Sequence, residues 1–384
     1  MKIAIVHDWL VVKAGAENVL GELLSLYPDA DLFALVDHLP ESERGFLNGK
    51  RATTSFIQKL PFSRTKYRSY LLFMPLAIEQ FDLSQYDLVI SSSHAVAKGV
   101  LTGPHQTHIS YVYSPIRYAW DLQHTYLRES NLVRGPKSLI ARLVLHYVRI
   151  WDQRTIHGVD HYIGISRFIA RRIKKAYGKD AEVIYPPVEL PEWAPVERGD
   201  YYVTASRLVP YKRVPLIVEA FRNMPGRRLV VIGDGPDAAL VRAQGAPNIE
   251  IMGHVSRDDL VGHLRRAKAF VFAAEEDFGI APLEAQACGT PVIAYGRGAA
   301  LETIVESPDA DATGLFFAEQ SVASIIDAVE RFESRPEPWL PDACRRNAER
   351  FSPAIFRRSL EAAVDRVMRA INDGQRPIRN DTDE

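Results

Sequence analysis

One segment constrains the fold of this 384-residue chain more than any other: Ala269-Phe270-Val271-Phe272-Ala273-Ala274, then, after Glu275, the run from Glu276 to Glu284, Glu-Asp-Phe-Gly-Ile-Ala-Pro-Leu-Glu. A short apolar run without alternation reads as a strand buried on both faces, which is the habit of parallel sheets covered by helices. Residues 282–288 read as a helix closed by Gly289-Thr290-Pro291. Glu276 then stands at the carboxyl end of a strand. Glu284 falls within the first turns of the next helix, where unpaired N–H groups and the helix dipole favour an anion. Open α/β sheets bind ligands at that edge. Two carboxylates so placed can accept hydrogen bonds from the vicinal hydroxyls of a polyol; the ordinary alternative is a helix-start Glu and an unrelated surface Glu.

Upstream, Tyr202-Val203-Thr204-Ala205-Ser206-Arg207-Leu208-Val209-Pro210-Tyr211-Lys212-Arg213 reads as a strand and a loop carrying Arg207 and Lys212, with a helix over 214–221 after it. Two cations at a strand-to-helix crossing suit a diphosphate, Arg by bidentate bonding and Lys as a mobile point charge. Leu229-Val230-Val231-Ile232 runs into Gly233-Asp234-Gly235-Pro236, a turn whose glycines let backbone approach a ligand. An ordinary tight turn explains that pattern equally well.

Taken in order, Ser206-Arg207-Leu208-x-x-x-Lys212, Gly233-Asp234-Gly235-Pro236, Gly253-His254-Val255 and Glu276-x7-Glu284 with Gly289-Thr290-Pro291-Val292-Ile293-Ala294 resemble the retaining glycosyltransferases of family 4. The resemblance spans about 150 residues of the second half. It implies the α/β GT-B fold: two Rossmann-like doubly wound domains facing across a cleft, with a C-terminal helix crossing back to the first. The segments Tyr86-Asp87-Leu88-Val89-Ile90-Ser91-Ser92-Ser93-His94 and Tyr113-Ser114-Pro115-x-Arg117-Tyr118-x-Trp120-Asp121 look like bacterial mannosyltransferases of surface-polysaccharide assembly. By the resemblance, Arg207 and Lys212 stabilise the leaving diphosphate without an obligatory metal. Glu284 grips the nucleotide ribose, while Glu276 and the backbone of Phe278-Gly279-Ile280 hold the donor hexose. Gly15, Gly233, Gly235 and Val255 complete the donor set, and GDP-mannose is the favoured donor. Retention is implied by same-face attack, with the departing phosphate taking the acceptor proton and no other cofactor required.

The acceptor side begins at His7-Asp8-Trp9 and continues to Gly15-Ala16, a strand, a loop and a helix from about residue 16. Relatives often carry a second Gly where this chain has Ala16, so a phosphate contact here is expected from the helix N-terminus. His94 ends a strand and is a candidate to hydrogen-bond a sugar or the acceptor. Asp8, Ser114, Arg117, Tyr118 and Asp121 make up the remaining acceptor-side candidates. Where several relatives place a cleft His, this chain has Tyr113-Ser114.

Strand-helix alternation divides the chain into a domain over 1–190, an interdomain linker over 189–199, a nucleotide-sugar domain over 200–350, a crossover helix over about 353–371 and a disordered polar tail over 372–384. Two cysteines, Cys288 and Cys344, are expected as packed thiols. The His157/His161 and His105/His108 pairs lack the further ligands a zinc site needs. No apolar run approaches the roughly 20 residues of a membrane span, and Met1-Lys2-Ile3-Ala4-Ile5-Val6 reads as a strand rather than a signal peptide. These features lead us to expect a cytoplasmic protein, peripheral on the inner face of the plasma membrane.

Net charge is −1, yet residues 1–190 hold 23 Lys and Arg against 18 Asp and Glu, a surplus of five, which leaves −6 elsewhere. Lys50, Arg51, Lys59, Arg64, Lys66 and Arg68 occur with no acidic residue between them and with Phe56, Phe62, Tyr67 and Tyr70 interleaved; Arg167, Arg171, Arg172, Lys174, Lys175 and Lys179 form a second cluster. Such clusters suit an anionic membrane surface and a lipid-linked or saccharide acceptor, or else are solvated faces. A near-neutral pI and the lack of a recognition module exclude nucleic acid. Three readings stay open beside a mannosyltransferase: a UDP-sugar-dependent glycosyltransferase, a GT-B-like epimerase working through Asp8 and Asp121, and a non-catalytic sugar-nucleotide module.

Overall fold

Among the described residues thirteen strands, all in parallel register, form two sheets. In this computed structural model residues 1–194 and 196–373 are described. The first sheet contains β1 (Ile3–His7), β2 (Asp31–Ala34), β3 (Thr53–Thr54), β4 (Leu88–Ser93), β5 (Thr107–Val112), β6 (His161–Gly164) and β7 (Glu182–Val183), in the order β3-β2-β1-β4-β5-β6-β7. The second contains β8 (Tyr201–Ala205), β9 (Arg228–Ile232), β10 (Ile249–Gly253), β11 (Ala269–Phe272), β12 (Val292–Tyr295) and β13 (Gly314–Phe317), in the order β10-β9-β8-β11-β12-β13. Both are doubly wound. In each, the strand order reverses beside the first strand, between β1 and β4 and between β8 and β11.

The strands read from the sequence within residues 1–6, 202–205, 229–232 and 269–274 are present as β1, β8, β9 and β11, with ends shifted by a residue or two. The two-residue strands β3 and β7 were not foreseen, because a strand that short carries no alternation to read. The central strands are continuous apolar runs because both faces are covered. Val203, Val230, Phe270, Val292 and Ala294 pack on one side of the second sheet, and Val231, Val271, Ile293 and Phe317 on the other.

The chain divides into two compact units, Val188–Ile355 and the remainder. Residues 189–199, expected as a linker, group with the second unit, where the Arg198 guanidinium donates to the carbonyls of Lys268 and Gly289. A last helix, Pro353–Asn372, returns the chain to the first unit from Phe356 on. There Phe356 meets Tyr111 edge-on at 5.8 Å, and Arg357 and Arg366 pair with Glu22 and Glu182, each at 2.5 Å. The tail expected to be disordered lies outside the described residues from residue 374 on. Cys288 and Cys344 are buried free thiols.

The first unit also buries an ion pair. Lys98 Nζ lies 2.8 Å from Asp152 Oδ1, and Asp152 Oδ2 accepts from Trp120 Nε1 at 2.7 Å and Tyr177 OH at 3.0 Å. These bonds offset the desolvation of the pair and fix the 117–121 loop on the helices beneath it.

Candidate functional site

The reversal of strand order leaves a crevice at the carboxyl ends of β8 and β11, and the sequence places its conspicuous charges there. Leaving β8, the loop 206–208 runs along the end of β9. Ser206 N donates to Ile232 O at 3.1 Å, Leu208 N to Asp234 O at 2.9 Å, and Asp237 N to Leu208 O at 3.0 Å. Gly233 and Gly235 adopt φ of +130° and +155°, and a Cβ on them would lie 1.9 Å from Ser206 O and 2.4 Å from Leu208 O. The close approach expected toward a ligand is therefore made first to the chain's own backbone, and it is this packing that seats the Arg207 loop.

Arg207 is exposed at the end of that loop. Lys212 closes a single 3₁₀ turn, Pro210–Lys212, and its ammonium pairs with Glu276. The same ammonium lies 5.6 Å from the ring centroids of Tyr211 and Phe272, a partly desolvated setting that strengthens its charge interactions. Glu276 is anchored through its backbone: its carbonyl accepts from Ala299 N at 2.9 Å, and Gly298, at φ +68°, leaves room for it, since a Cβ there would come within 2.5 Å. Gly279, in the left-handed region at φ +85°, starts the helix Ile280–Ala287. Phe278 is buried against Phe351 with ring centroids 5.7 Å apart, so its side chain belongs to the core.

Glu284 lies one turn further on, half-buried, with Oε1 2.5 Å from Nη1 of Arg257. Burial raises the Glu284 carboxyl above its ordinary value, and Arg257 opposes that rise. Arg257 opens the helix Arg257–Arg266, capped by Ser256 Oγ accepting from Asp259 N at 3.1 Å, and also reaches Glu189 at 3.7 Å. A cavity of about 530 Å³, lined by Glu189, Leu190, Arg257, Asp258, Val261 and Arg265 among others, opens beside it. Arg207, Lys212 and Glu276 do not line this cavity. Val255 packs against the core cluster under β8 and β11. Arg257 was missed in the sequence, although Ser256-x-x-Asp259 is a capping signature that places it at the helix start.

In the first unit the corresponding edge, between β1 and β4, carries Asp8 and His94. Asp8 is wholly buried. Its oxygens accept the backbone N–H groups of His94, Ala95, Val96 and Ala97 at 2.6, 2.9, 2.6 and 2.7 Å, and His94 Nδ1 stands 3.0 Å from Oδ2. Burial alone would raise its pKa, but the charge and hydrogen bonds of His94 hold it down at about 2. The Asp8 carboxylate has no exposed atom for an acceptor, and it acts instead by positioning His94. The His94 side chain is 29% exposed and lies edge-on to Trp9 at 4.5 Å. With Nδ1 toward Asp8, Nε2 is the ring nitrogen available to a ligand.

Gly15 is the first residue of the helix Gly15–Leu26. Glu17 also occupies that start: its Oε2 accepts from Ala14 N at 2.9 Å, and its Oε1 lies 3.5 Å from His7 Nε2. His7 Nδ1 in turn meets Ser92 Oγ at 2.9 Å, and Ser92 Oγ meets Tyr113 OH at 2.8 Å. The sequence did not single out this buried chain, since no motif joins residues drawn from two strands, the loop after a third and a helix. Ser114 is buried and donates to Pro115 O at 2.8 Å, which removes it from the accessible set. Arg117 and Tyr118 are half-buried, and Asp121 pairs with Arg172 at 2.5 Å.

His108 is buried between Gly158 O and Ser91 Oγ, and burial lowers its pKa to about 4. His161 bonds Glu182 at 2.9 Å. Among the described residues no group of three His, Cys, Asp or Glu is placed to hold a metal ion.

Two doubly wound units with charged loops at their switch points define the GT-B class of glycosyltransferase folds, as the resemblance implied. Residues 189–351, which contain Arg207, Lys212, Glu276 and Glu284, match the family model described as glycosyl transferases group 1. Over 222 residues the chain is 31% identical to a GDP-mannose-dependent alpha-(1-6)-phosphatidylinositol monomannoside mannosyltransferase of Mycobacterium tuberculosis (strain CDC 1551 / Oshkosh), covering 50% of this chain and 55% of that protein. A GDP-mannose-dependent monoacylated alpha-(1-6)-phosphatidylinositol monomannoside mannosyltransferase of Corynebacterium glutamicum is 29% identical over 189 residues, covering 41% and 48%. The chain thus spans about half the length of these curated relatives. Among solved structures, sucrose-phosphate synthase from Thermosynechococcus elongatus superposes with a TM-score of 0.68 at 16% identity, covering 96% of this chain and 100% of that one. HepE of Anabaena, in complex with UDP and glucose, superposes with a TM-score of 0.67 at 16% identity, covering 95% and 99%.

Proposed function

We propose that this protein is a retaining glycosyltransferase that moves a hexose, mannose from GDP-mannose, onto a lipid-linked or saccharide acceptor in polysaccharide or glycolipid biosynthesis. The observation that carries this reading is the Lys212–Glu276 pair at the β8–β11 switch point, with Arg207 on the adjoining loop and Glu284 eight residues beyond Glu276. A diphosphate seated there meets two cations, which offset the charge that develops as it leaves. Glu276 and the backbone after Phe278 orient the hexose hydroxyls, and Glu284 holds the ribose.

The step breaks the bond from the anomeric carbon to the diphosphate oxygen and forms one from the same face to the acceptor oxygen. The acceptor proton passes to the departing diphosphate. No metal is needed in this scheme, because Arg207 and Lys212 supply the positive charge. The mannose and guanine assignments are supported by what the mycobacterial and corynebacterial relatives are named for. UDP-sugar is the second reading, favoured by the UDP and glucose bound in HepE. The epimerase reading loses support, because all four backbone N–H groups that surround Asp8 are already bonded to it.

Calorimetric titration with GDP, UDP and ADP, with and without a divalent metal, followed by GDP-mannose and UDP-glucose, tests the assignment. Metal-independent preference for GDP and GDP-mannose is expected. Preference for UDP would replace the donor, binding only with metal would remove the metal-free scheme, and no nucleotide binding would overturn the reading.

A further inference from the structure

The helix Pro136–Arg154 in the first unit is apolar on two opposite sides. Leu145, Val148 and Trp151 face inward and are buried, as any packed helix requires. On the other side Leu139, Ile140, Leu143, Tyr147 and Ile150 are 61, 61, 60, 43 and 57% exposed. Positions 139, 143, 147 and 150 recur at the spacing of one helical face. Five large side chains in one stripe form a contiguous exposed apolar surface, a feature of interaction sites rather than of ordinary solvated helices.

The charges around the stripe select its partner. Arg134, Lys137 and Arg154 are exposed and Arg142 is half-buried, while Asp152, the sole acidic residue from Asn131 to Arg154, is buried against Lys98. A second copy of the chain docking face to face would bring these cations together, whereas an anionic surface complements them. The neighbouring segment has the same character. Leu71 packs in one small cluster with Val144 and Val148, and just beyond it Leu72, Phe73 and Leu76 are 44, 47 and 50% exposed, preceded by exposed Arg64, Lys66 and Arg68. Glu79, the first acidic residue after Arg68, is engaged by Trp151 Nε1 at 2.7 Å. Among the described residues no helix is long and apolar enough to cross a membrane.

We propose that the outer stripe of the Pro136–Arg154 helix, with the adjoining 72–76 segment, lies in the headgroup layer of an anionic lipid bilayer. Leu139, Leu143 and Ile150 enter the acyl boundary, while Arg134, Lys137 and Arg142 meet lipid phosphates. This deepens the reading of a lipid-linked acceptor, because it holds the enzyme at the surface where such an acceptor resides.

The test is co-sedimentation of the full chain with vesicles of phosphatidylcholine alone or with about one third phosphatidylglycerol, at low and high salt. The parent is expected to bind the anionic vesicles and to be released by salt. Leu143→Glu with Ile150→Glu, both at exposed positions, is expected to lower the bound fraction by about tenfold or more. Lys137→Glu with Arg142→Glu is expected to abolish the preference for anionic lipid. Unchanged binding by the Leu143/Ile150 variant, failure of the parent to bind anionic vesicles, or a parent dimer that the same variant dissociates would each overturn the proposal. GDP titration of the same preparations keeps the two ideas apart. Lost docking with intact donor binding removes only the membrane face, and intact docking without nucleotide binding removes only the transferase reading.

Discussion

Asp8 Oδ2 lies 3.0 Å from His94 Nδ1 and at the same time accepts the backbone N–H of His94 at 2.6 Å, so one buried carboxylate sets both the ring and the main chain of a residue 86 positions away. The carboxylate lies beneath the β1–β4 switch point and completes its capping with three further N–H groups.

Because the Asp8 pKa falls from 3.8 to about 2 on folding, its charged form stabilises the native state above pH 4, and that contribution disappears as pH drops toward 2. A shift of this size in a fully buried group corresponds to roughly 2–3 kcal/mol. Urea unfolding between pH 2 and 6 should show that loss in the parent. Asp8→Asn, which turns an amide NH₂ toward backbone donors, should be less stable at pH 6 by about 3 kcal/mol and show a flatter acid limb. An equally steep acid limb in the variant would assign the effect elsewhere.

Lys212→Ala and Glu284→Ala are each expected to weaken donor binding about tenfold or more, since a charge-assisted hydrogen bond contributes about 1.5–3 kcal/mol. Glu276→Gln leaves Lys212 without its partner and should spare affinity for free GDP while reducing affinity for the sugar nucleotide. Calorimetry with GDP and GDP-mannose reads both effects. Parental affinity in both alanine variants would mean that the nucleotide binds elsewhere.

Arg257 lowers a Glu284 carboxyl that burial has raised. Removing it in Arg257→Ala lets the pKa climb further, so the carboxylate that we propose accepts ribose hydroxyl bonds is lost at higher pH than in the parent. Donor affinity should therefore fall more steeply in the variant between pH 8 and about 5. Matching pH profiles in titration calorimetry would exclude Arg257 from control of Glu284.

Gly233→Ala places a methyl 1.9 Å from Ser206 O in a backbone conformation that alanine avoids. The loop bearing Arg207 must move, at an expected stability cost of about 2–4 kcal/mol. Nucleotide affinity should fall even at temperatures where circular dichroism shows the variant folded. Retained affinity would separate the turn from the Arg207 loop.

Much of the site in the second unit was legible because its chemistry lies in local strings. A buried strand ending in Glu276, a helix start with Glu284 and a loop with Arg207 and Lys212 each announce themselves within about a dozen residues, through apolar runs, glycines and charge. The same signals expose the alternating α/β plan. They could not show that Gly233 and Gly235 serve the chain's own backbone before any ligand, because that contact joins β8 to β9.

Sequence by itself determined the longer strands and helices and the identity of the charged residues at strand ends, since burial on both faces and helix periodicity are written into consecutive side chains; the doubly wound class came with the family resemblance. Only tertiary structure decided which charges meet. Strand order brings β8 beside β11 and so Lys212 to Glu276, and it brings β1 beside β4 and so Asp8 under His94. Packing also decided that Asp8 and Ser114 are enclosed, that Arg257 takes up Glu284, and that one helix keeps a second apolar face outward. The reason is physical: pairing and desolvation depend on distances through space, which a linear chain acquires only when its strands have chosen their neighbours.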